Sequence, residues 1–351
     1  MSSTQGQTIL VTGGAGYVGS HTVISLLDAG HKVIIFDNFS NGRQECLDRI
    51  EELTGKSMTV YRGDMRNKED ILDVLGKHKE ISLVIHFAAL KAVGESVEKP
   101  LDYYRVNVTG SLNLIEAMVE SGVSRLIFSS SATVYGDPIY LPMDEKHPVG
   151  NCTSPYATTK QMVEEIMKDT CKVMPSWSGV VLRYFNPVGA HFSGMIGEDP
   201  KGIPNNLTPF VAQVAIGMRD ELKVFGNDYN THDGTGVRDY IHITDVANGH
   251  LAAVTKCMET PGFQVYNLGT GKGSSVFDVV RAFEEACGKK IKYSIIGRRA
   301  GDVAAMCACP KKAEAELGWK AKYTLAEMCK DAWAWQTKNP NGFNTDNSSK
   351  Q

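Results

Sequence analysis

The 351-residue chain balances 37 Lys+Arg against 40 Asp+Glu, a formal net charge of −3, and is 42% hydrophobic. That length suits about two domains or one large α/β unit, with a core big enough to need no disulfide or metal staple. The charge balance, with no Lys/Arg block longer than two residues, excludes a field that gathers nucleic acid or anionic lipid; the polar stretch Met1 to Gln7 lacks a signal peptide's apolar run, and no segment reaches transmembrane length. A cytoplasmic protein with no nucleic-acid or membrane partner is expected.

In chain order, Thr8 to Thr12 reads as a strand and Tyr17 to Ala29 as a helix stopped by Gly30. Strand-like runs follow at Lys32 to Asp37, Thr59 to Tyr61, Leu83 to Ala88, Arg125 to Ser129 and Val180 to Tyr184, most of them separated by helical stretches. The runs are continuously apolar rather than alternating, as suits strands covered on both faces, so the pattern predicts an α/β fold built on a doubly wound parallel (Rossmann) sheet. After Asn186-Pro187 the chain turns rich in Gly, Pro, Asn and Asp, with a helical stretch near Leu207 to Met218, a strand-like Val265 to Leu268 and an amphipathic helix near Val276 to Cys287. The expected organisation is a nucleotide-binding domain over 1–186 with a returning segment near 240–270, a smaller, mixed α/β substrate domain over 187–340, and a flexible tail over 341–351.

The eight cysteines have no framework spacing and read as reduced thiols. Cys307-Ala-Cys309 lacks a second Cys or His pair, and the nine histidines show no H-E-x-x-H or H-x-H spacing, so no metal is expected.

Gly13-x-x-Gly16-x-x-Gly19 follows the first strand and opens the first helix. Gly13 suits a tight turn, Gly16 lets backbone N–H groups approach a pyrophosphate at the helix's positive end, and Gly19 allows close packing. The second strand ends in Asp37, 18 residues after Gly19. A carboxylate there accepts from both ribose hydroxyls and repels a 2′-phosphate, which favours NAD over NADP. Asp64, after the third strand, is placed to reach the adenine.

Tyr156-x-x-x-Lys160 puts a phenol and an ammonium on one helical face, behind Ser154-Pro155 as N-cap and first turn. The ammonium is expected to lower the phenol's pKa toward neutrality and make Tyr156 a general base. Ser131 lies at the carboxyl end of the preceding strand, where ligands of such sheets bind, and its hydroxyl can hold the oxygen that loses its proton.

The glycine motif with Tyr156-x-x-x-Lys160 resembles the extended short-chain dehydrogenase/reductase superfamily. The stretches Phe87 to Ser96, Phe128 to Gly136, Leu182 to Ala190, Gly202 to Leu207 and Gly234 to His242 narrow the resemblance to the UDP-glucose 4-epimerase (UDP-galactose 4-epimerase) family, over about Thr8 to Trp335. The resemblance implies a homodimer that holds NAD tightly and reversibly epimerises UDP-galactose and UDP-glucose at C4 through a 4-keto sugar. It implies Tyr156, Lys160 and Ser131 as catalytic residues. Around the cofactor it places Gly13, Gly16, Tyr17, Val18, Gly19, Asp37, Asn38, Asp64, Met65, Phe87, Ala88, Ala89, Lys91, Asn107, Ser129 and Phe185, beside Tyr156 and Lys160. Around the UDP-sugar it places Lys91, Ser131, Thr133, Asn186, Asn206, Leu207, Phe225, Arg238, Arg299, Asp302 and Met306. Arg238 and Arg299 suit a diphosphate because a guanidinium fork matches phosphate geometry. Met306 stands where relatives often carry an aromatic residue; its flexible side chain implies slower activity on UDP-N-acetylglucosamine and UDP-N-acetylgalactosamine. Dehydratases of the superfamily carry Asp-Glu after the catalytic hydroxyl, where this chain has Ala132 and Thr133.

Overall fold

The computed structural model describes residues 6–202, 204, 206–299 and 302–344. Its main sheet has six strands from the first 184 residues: β1 (Thr8–Thr12), β2 (Lys32–Asp37), β3 (Thr59–Arg62), β4 (Ile81–His86), β5 (Arg125–Ser131) and β6 (Ser178–Tyr184). A seventh strand, Gly262–Leu268, returns from the second half to pair with β6. All pairings are parallel, in the order returning strand, β6, β5, β4, β1, β2, β3.

Side chains alternate between two apolar layers, which explains why the strands read as unbroken apolar runs. Ile9, Val11, Ile35, Ile85 and Leu182 pack with the helices Tyr17–Asp28, Gln44–Thr54 and Ile243–Glu259. Leu10, Ile34, Phe36, Val84, Phe128 and Val181 pack with the helices Lys68–Lys77, Gly110–Glu120 and Pro155–Val173. Each fully buried aliphatic side chain contributes about 1.5–3 kcal/mol.

Element boundaries depart from the sequence reading where backbone geometry intervenes. β4 ends at His86 rather than Ala88, because the N–H groups of Phe87 and Ala88 both donate to the Thr12 carbonyl, at 2.9 and 3.1 Å, and the chain leaves the ladder there. The helix beginning at Leu207 ends at Ala215, before Met218, because Gly217 adopts a left-handed φ of +87°.

The smaller lobe is built from short pairings. Asn186–Val188 pairs with Tyr240–His242, Val237–Arg238 lies between Ser274–Ser275 and Ala305–Met306, and Leu222–Phe225 pairs with Tyr293–Ile296. Val211, Val280, Phe283 and Cys329 form its core. Asp239, wholly buried, accepts from the N–H groups of Thr270, Gly271 and Ala308 and from the Thr270 hydroxyl, and so pins the chain around Arg238 to two loops. Phe343, inside the stretch expected to be a flexible tail, packs on Trp335 with ring centroids 4.7 Å apart; residues 345–351 lie outside the described residues, as do Ile203 and Asn205 of the Gly202 to Leu207 stretch. No described helix is long and apolar enough to cross a membrane.

Candidate active site

The strand order reverses beside β1, between β4 and β2, and this is the switch point where ligands of such sheets bind. Gly13 (φ +73°) turns there so close to the neighbouring loop that a Cβ on it would lie 2.6 Å from the Ala88 nitrogen. On Gly19 a Cβ would meet the Gly13 carbonyl oxygen at 2.3 Å, so this glycine seats the helix on the turn rather than on the strand. Gly16 caps the Tyr17–Asp28 helix with no side-chain cap on the helix's first N–H groups and no acidic residue in its first turn. These features fit a bound pyrophosphate. Tyr17 donates to the Gly189 carbonyl at 2.7 Å, and Val18 packs against the core layer behind it.

One carboxylate, Asp37, ends the second strand, and another, Asp64, follows the third. Asp37, 7% exposed, accepts from Ala15 N–H at 3.0 Å and Phe39 N–H at 2.8 Å. Burial raises its pKa, and those two hydrogen bonds and Lys201 oppose the rise. Asp64 is engaged by the fork of Arg66, at 2.9 and 2.7 Å, and by Asn38 at 3.0 Å; the Arg66 hydrogen bonds hold it well below the usual carboxylate range. Met65 is buried beside Gly110.

The loop after β4 carries Phe87, Ala88, Ala89 and Lys91. Asn107 anchors it: its Oδ1 accepts from Leu90 N–H at 2.8 Å, and its Nδ2 donates to the Leu90 carbonyl and to Thr159, both at 3.0 Å. Asn107 is 2% exposed within a π-helical turn, Tyr104–Thr109. Lys91 donates to Glu198 at 2.8 Å, and Asn206 donates to the same oxygen at 3.0 Å. Glu198 escaped the sequence reading; its signal was an acidic pair, Glu198-Asp199, in a glycine- and proline-rich stretch.

The catalytic candidates converge at the carboxyl ends of β5 and β6. Ser154 caps the Pro155–Val173 helix by accepting from Ala157 N–H at 3.3 Å. Ser131 accepts from the Thr133 N–H (3.2 Å) and hydroxyl (3.0 Å), which leaves its own proton free to donate. Lys160, 4% exposed, donates to the Ser129 carbonyl at 2.7 Å; its Nζ is 4.8 Å from the Phe128 ring centroid and 6.0 Å from that of Tyr156. Burial pulls Lys160 down to about 7, with Glu164 opposing. Burial pushes the Tyr156 phenol up to about 12, with the Ser131 hydrogen bond opposing. The expected fall of the Tyr156 pKa toward neutrality is therefore not found in the chain alone, because desolvation of the phenol outweighs the Ser131 hydrogen bond. Tyr184, also missed by the sequence reading, hydrogen-bonds the Ser129 hydroxyl.

In the smaller lobe, Arg238 donates to the carbonyls of Val237 (2.9 Å) and Val303 (2.8 Å) and reaches Asp302 at 3.4 Å. Arg299 forks onto the same carboxylate at 3.1 and 2.8 Å, with its guanidinium carbon 5.6 Å from the Phe225 ring centroid. Met306 is in register with Arg238 and packs on the cluster holding Phe185, Ala132 and Tyr135. Phe185 is itself buried in that cluster, Asn186 is exposed at the start of its strand, and Leu207 opens the next helix half-buried. Among the described residues, His232, Asp233 and Asp278 lie close enough to share a metal, but Asp278 caps its own helix and Asp233 binds Thr235 and Ser275.

The family model described as GDP-mannose 4,6 dehydratase matches residues 10–332. The chain is 56% identical over 345 residues to the UDP-glucose 4-epimerase of Homo sapiens, covering 97% of this chain and 99% of that one. It is 54% identical over 335 residues to the UDP-glucose 4-epimerase of Bacillus subtilis, covering 95% and 98%. Among solved structures, the UDP-glucose 4-epimerase of Bifidobacterium longum in complex with NAD+ and UDP superposes with a TM-score of 0.93 at 53% identity, covering 96% of this chain and 100% of that one. The UDP-Glc/GlcNAc 4-epimerase of Campylobacter jejuni gives a TM-score of 0.83 at 34% identity, covering 95% and 100%.

Proposed function

Since the chain belongs to the UDP-glucose 4-epimerase family, we propose that it interconverts UDP-galactose and UDP-glucose at C4 through a 4-keto sugar, with NAD as a resident cofactor. The observation that carries the reading is the convergence of Ser131, Tyr156 and Lys160 at the carboxyl edge of β5, beside the uncapped helix that begins at Tyr17.

The glycine turn and the carboxylate of Asp37 fit the pyrophosphate and adenosine ribose of NAD, which when bound supplies a reversible hydride acceptor for the sugar C4. Arg238 and Arg299 hold the UDP diphosphate, Phe225 lies against the uracil, and Asp302, between the two guanidinium groups, orients them toward the ribose end. Ser131 hydrogen-bonds the sugar O4. Tyr156 takes the O4 proton as the carbonyl forms and returns it when the alcohol is restored. Lys160 supplies the positive charge that favours the phenolate. Because proton and hydride both return to the sugar, no second substrate is consumed.

A dehydratase reading, suggested by the description of the family model, finds no carboxylate to expel water: Ala132 is buried and Thr133 is bound to Ser131. The homodimer is supported by exposed apolar side chains on neighbouring helices, among them Val97, Leu101, Leu112, Val119 and Met162. The eight unpaired cysteines suit the reducing cytoplasm. The test is production of UDP-glucose from UDP-galactose by the purified protein with no reductant added. Absence of conversion by NAD-loaded, folded protein overturns the reading.

A further inference from the structure

The Pro155–Val173 helix carries a second buried charge that the reaction above does not use. Glu164, one turn beyond Lys160, is 3% exposed. Its Oε1 accepts from the Ser130 hydroxyl at 2.5 Å and from Arg183 Nε at 3.0 Å, and its Oε2 accepts from Arg183 Nη2 at 2.5 Å. Ser130 and Arg183 are directly paired across β5 and β6. Ser130 also follows Ser129, whose carbonyl receives the Lys160 hydrogen. The helix is thus stitched to two successive β5 residues by two of its own side chains, Lys160 to the first and Glu164 to the second.

Stability alone does not account for such a pair, since hydrophobic replacements of buried ion pairs are often neutral or stabilising. The groups around Lys160 suggest another role. Its own helix presents Tyr156 and Glu164; β5 presents the Ser129 carbonyl and the Phe128 ring; β4 presents His86; and Arg183 of β6 is paired to Glu164. Among these, Glu164 is the one standing negative charge.

We infer that Glu164 is a positioning residue for the proposed epimerisation, seating Lys160 on the Ser129 carbonyl and supplying the counter-charge that keeps it an ammonium beside Tyr156. The inference rests on the reading of Lys160 as the charge that favours phenolate. Burial drives Lys160 toward its neutral form, and Glu164 opposes that drive. The ammonium is lost as pH rises through the Lys160 pKa, so turnover falls on that side. Removing the carboxylate lowers this pKa and moves the falling limb to lower pH.

The experiment is the pH dependence of kcat for UDP-galactose, measured on the NAD-loaded wild type, Glu164→Gln and Glu164→Asp. In Glu164→Gln the alkaline limb is expected to move about one pH unit toward acid, as loss of a nearby opposite charge implies. Glu164→Asp keeps the charge and is expected to return the limb toward wild type. A Glu164→Gln limb that superimposes on wild type, or an aspartate limb displaced as far as the glutamine one, overturns the inference. Because Glu164→Gln leaves Arg183 buried without its partner and can fail to fold, the double variant Glu164→Gln/Arg183→Met is measured in the same way. A displaced limb in the double variant supports the inference and a superimposed one overturns it. A wild-type protein that does not turn over UDP-galactose overturns the functional reading itself, and this inference with it.

Discussion

Lys160 donates to the main-chain oxygen of Ser129, 2.7 Å away, and its Nζ stands 6.0 Å from the ring centroid of Tyr156. The position of Lys160 is therefore fixed by the strand rather than by Tyr156. Burial holds the phenol protonated, and the Ser131 hydrogen bond opposes it.

Replacing Tyr156 with Phe removes the proposed proton acceptor and leaves the packing nearly intact. The expected outcome is a fall in kcat of about 10²–10⁴-fold, the range of a general acid–base contribution, with NAD still bound. Steady-state kinetics and a cofactor-release assay check it; near-normal turnover in a folded Tyr156→Phe protein excludes the phenol from the mechanism.

Met306 is half-buried, in register with Arg238, and rests on the Phe185 cluster. A rigid ring at this position is expected to narrow the sugar pocket. Met306→Tyr should lower kcat/KM for UDP-N-acetylgalactosamine more than for UDP-galactose. An unchanged ratio between the two substrates means that another residue sets the width.

The contact that a Cβ on Gly19 would make with the Gly13 oxygen, at 2.3 Å, predicts that Gly19→Ala forces the first helix off the turn. The expected cost is about 1–3 kcal/mol of stability, as for other overpacked sites, together with weaker NAD retention. Gly76→Ala is the control: Gly76 lies in the Lys68–Lys77 helix with nothing within 4 Å of a new Cβ, and the change is expected to stabilise by up to about 1 kcal/mol. Equal melting temperatures for the two variants contradict the argument.

Three buried histidines predict acid lability. Desolvation lowers His21 and His86 to about 3 and His250 to about 4, from an ordinary 6.5. The unfolded chain binds protons at these sites before the folded one does. The stability they contribute is therefore complete above pH 6.5 and lost as pH falls from there toward 4 and 3. The midpoint of urea unfolding should drop steadily between pH 7 and pH 4; a flat midpoint across that range rules out the buried neutral imidazoles as its cause.

Much of this architecture is legible in the chain because its signals are local. Apolar runs bounded by turns locate the strands, and Gly13, Gly16 and Gly19, set between the first strand and the first helix with Asp37 ending the next strand, mark the turn expected to hold the cofactor. Ser154-Pro155 announces the helix that carries Tyr156 and Lys160. What escaped depends on distant pairing. Glu198 meets Lys91 across 107 residues, and Tyr184 meets Ser129 across 55. Desolvation is equally invisible, and it reversed the expected direction of the Tyr156 shift.

The returning strand makes the two lobes inseparable as genes. Gly262–Leu268 covers the outer edge of β6 along its whole length, from Ser178 to Tyr184. A fragment that stops at Val188 uncovers the seven-residue edge of β6, a ready template for intermolecular strand pairing. Such a fragment is expected to be recovered as insoluble aggregate, whereas one in which residues 240–270 are joined to the first lobe by a short linker is expected to stay monodisperse in size-exclusion chromatography. Evolutionary exchange of the sugar-binding half must then proceed by replacing loops on either side of this strand, with the strand itself left in place.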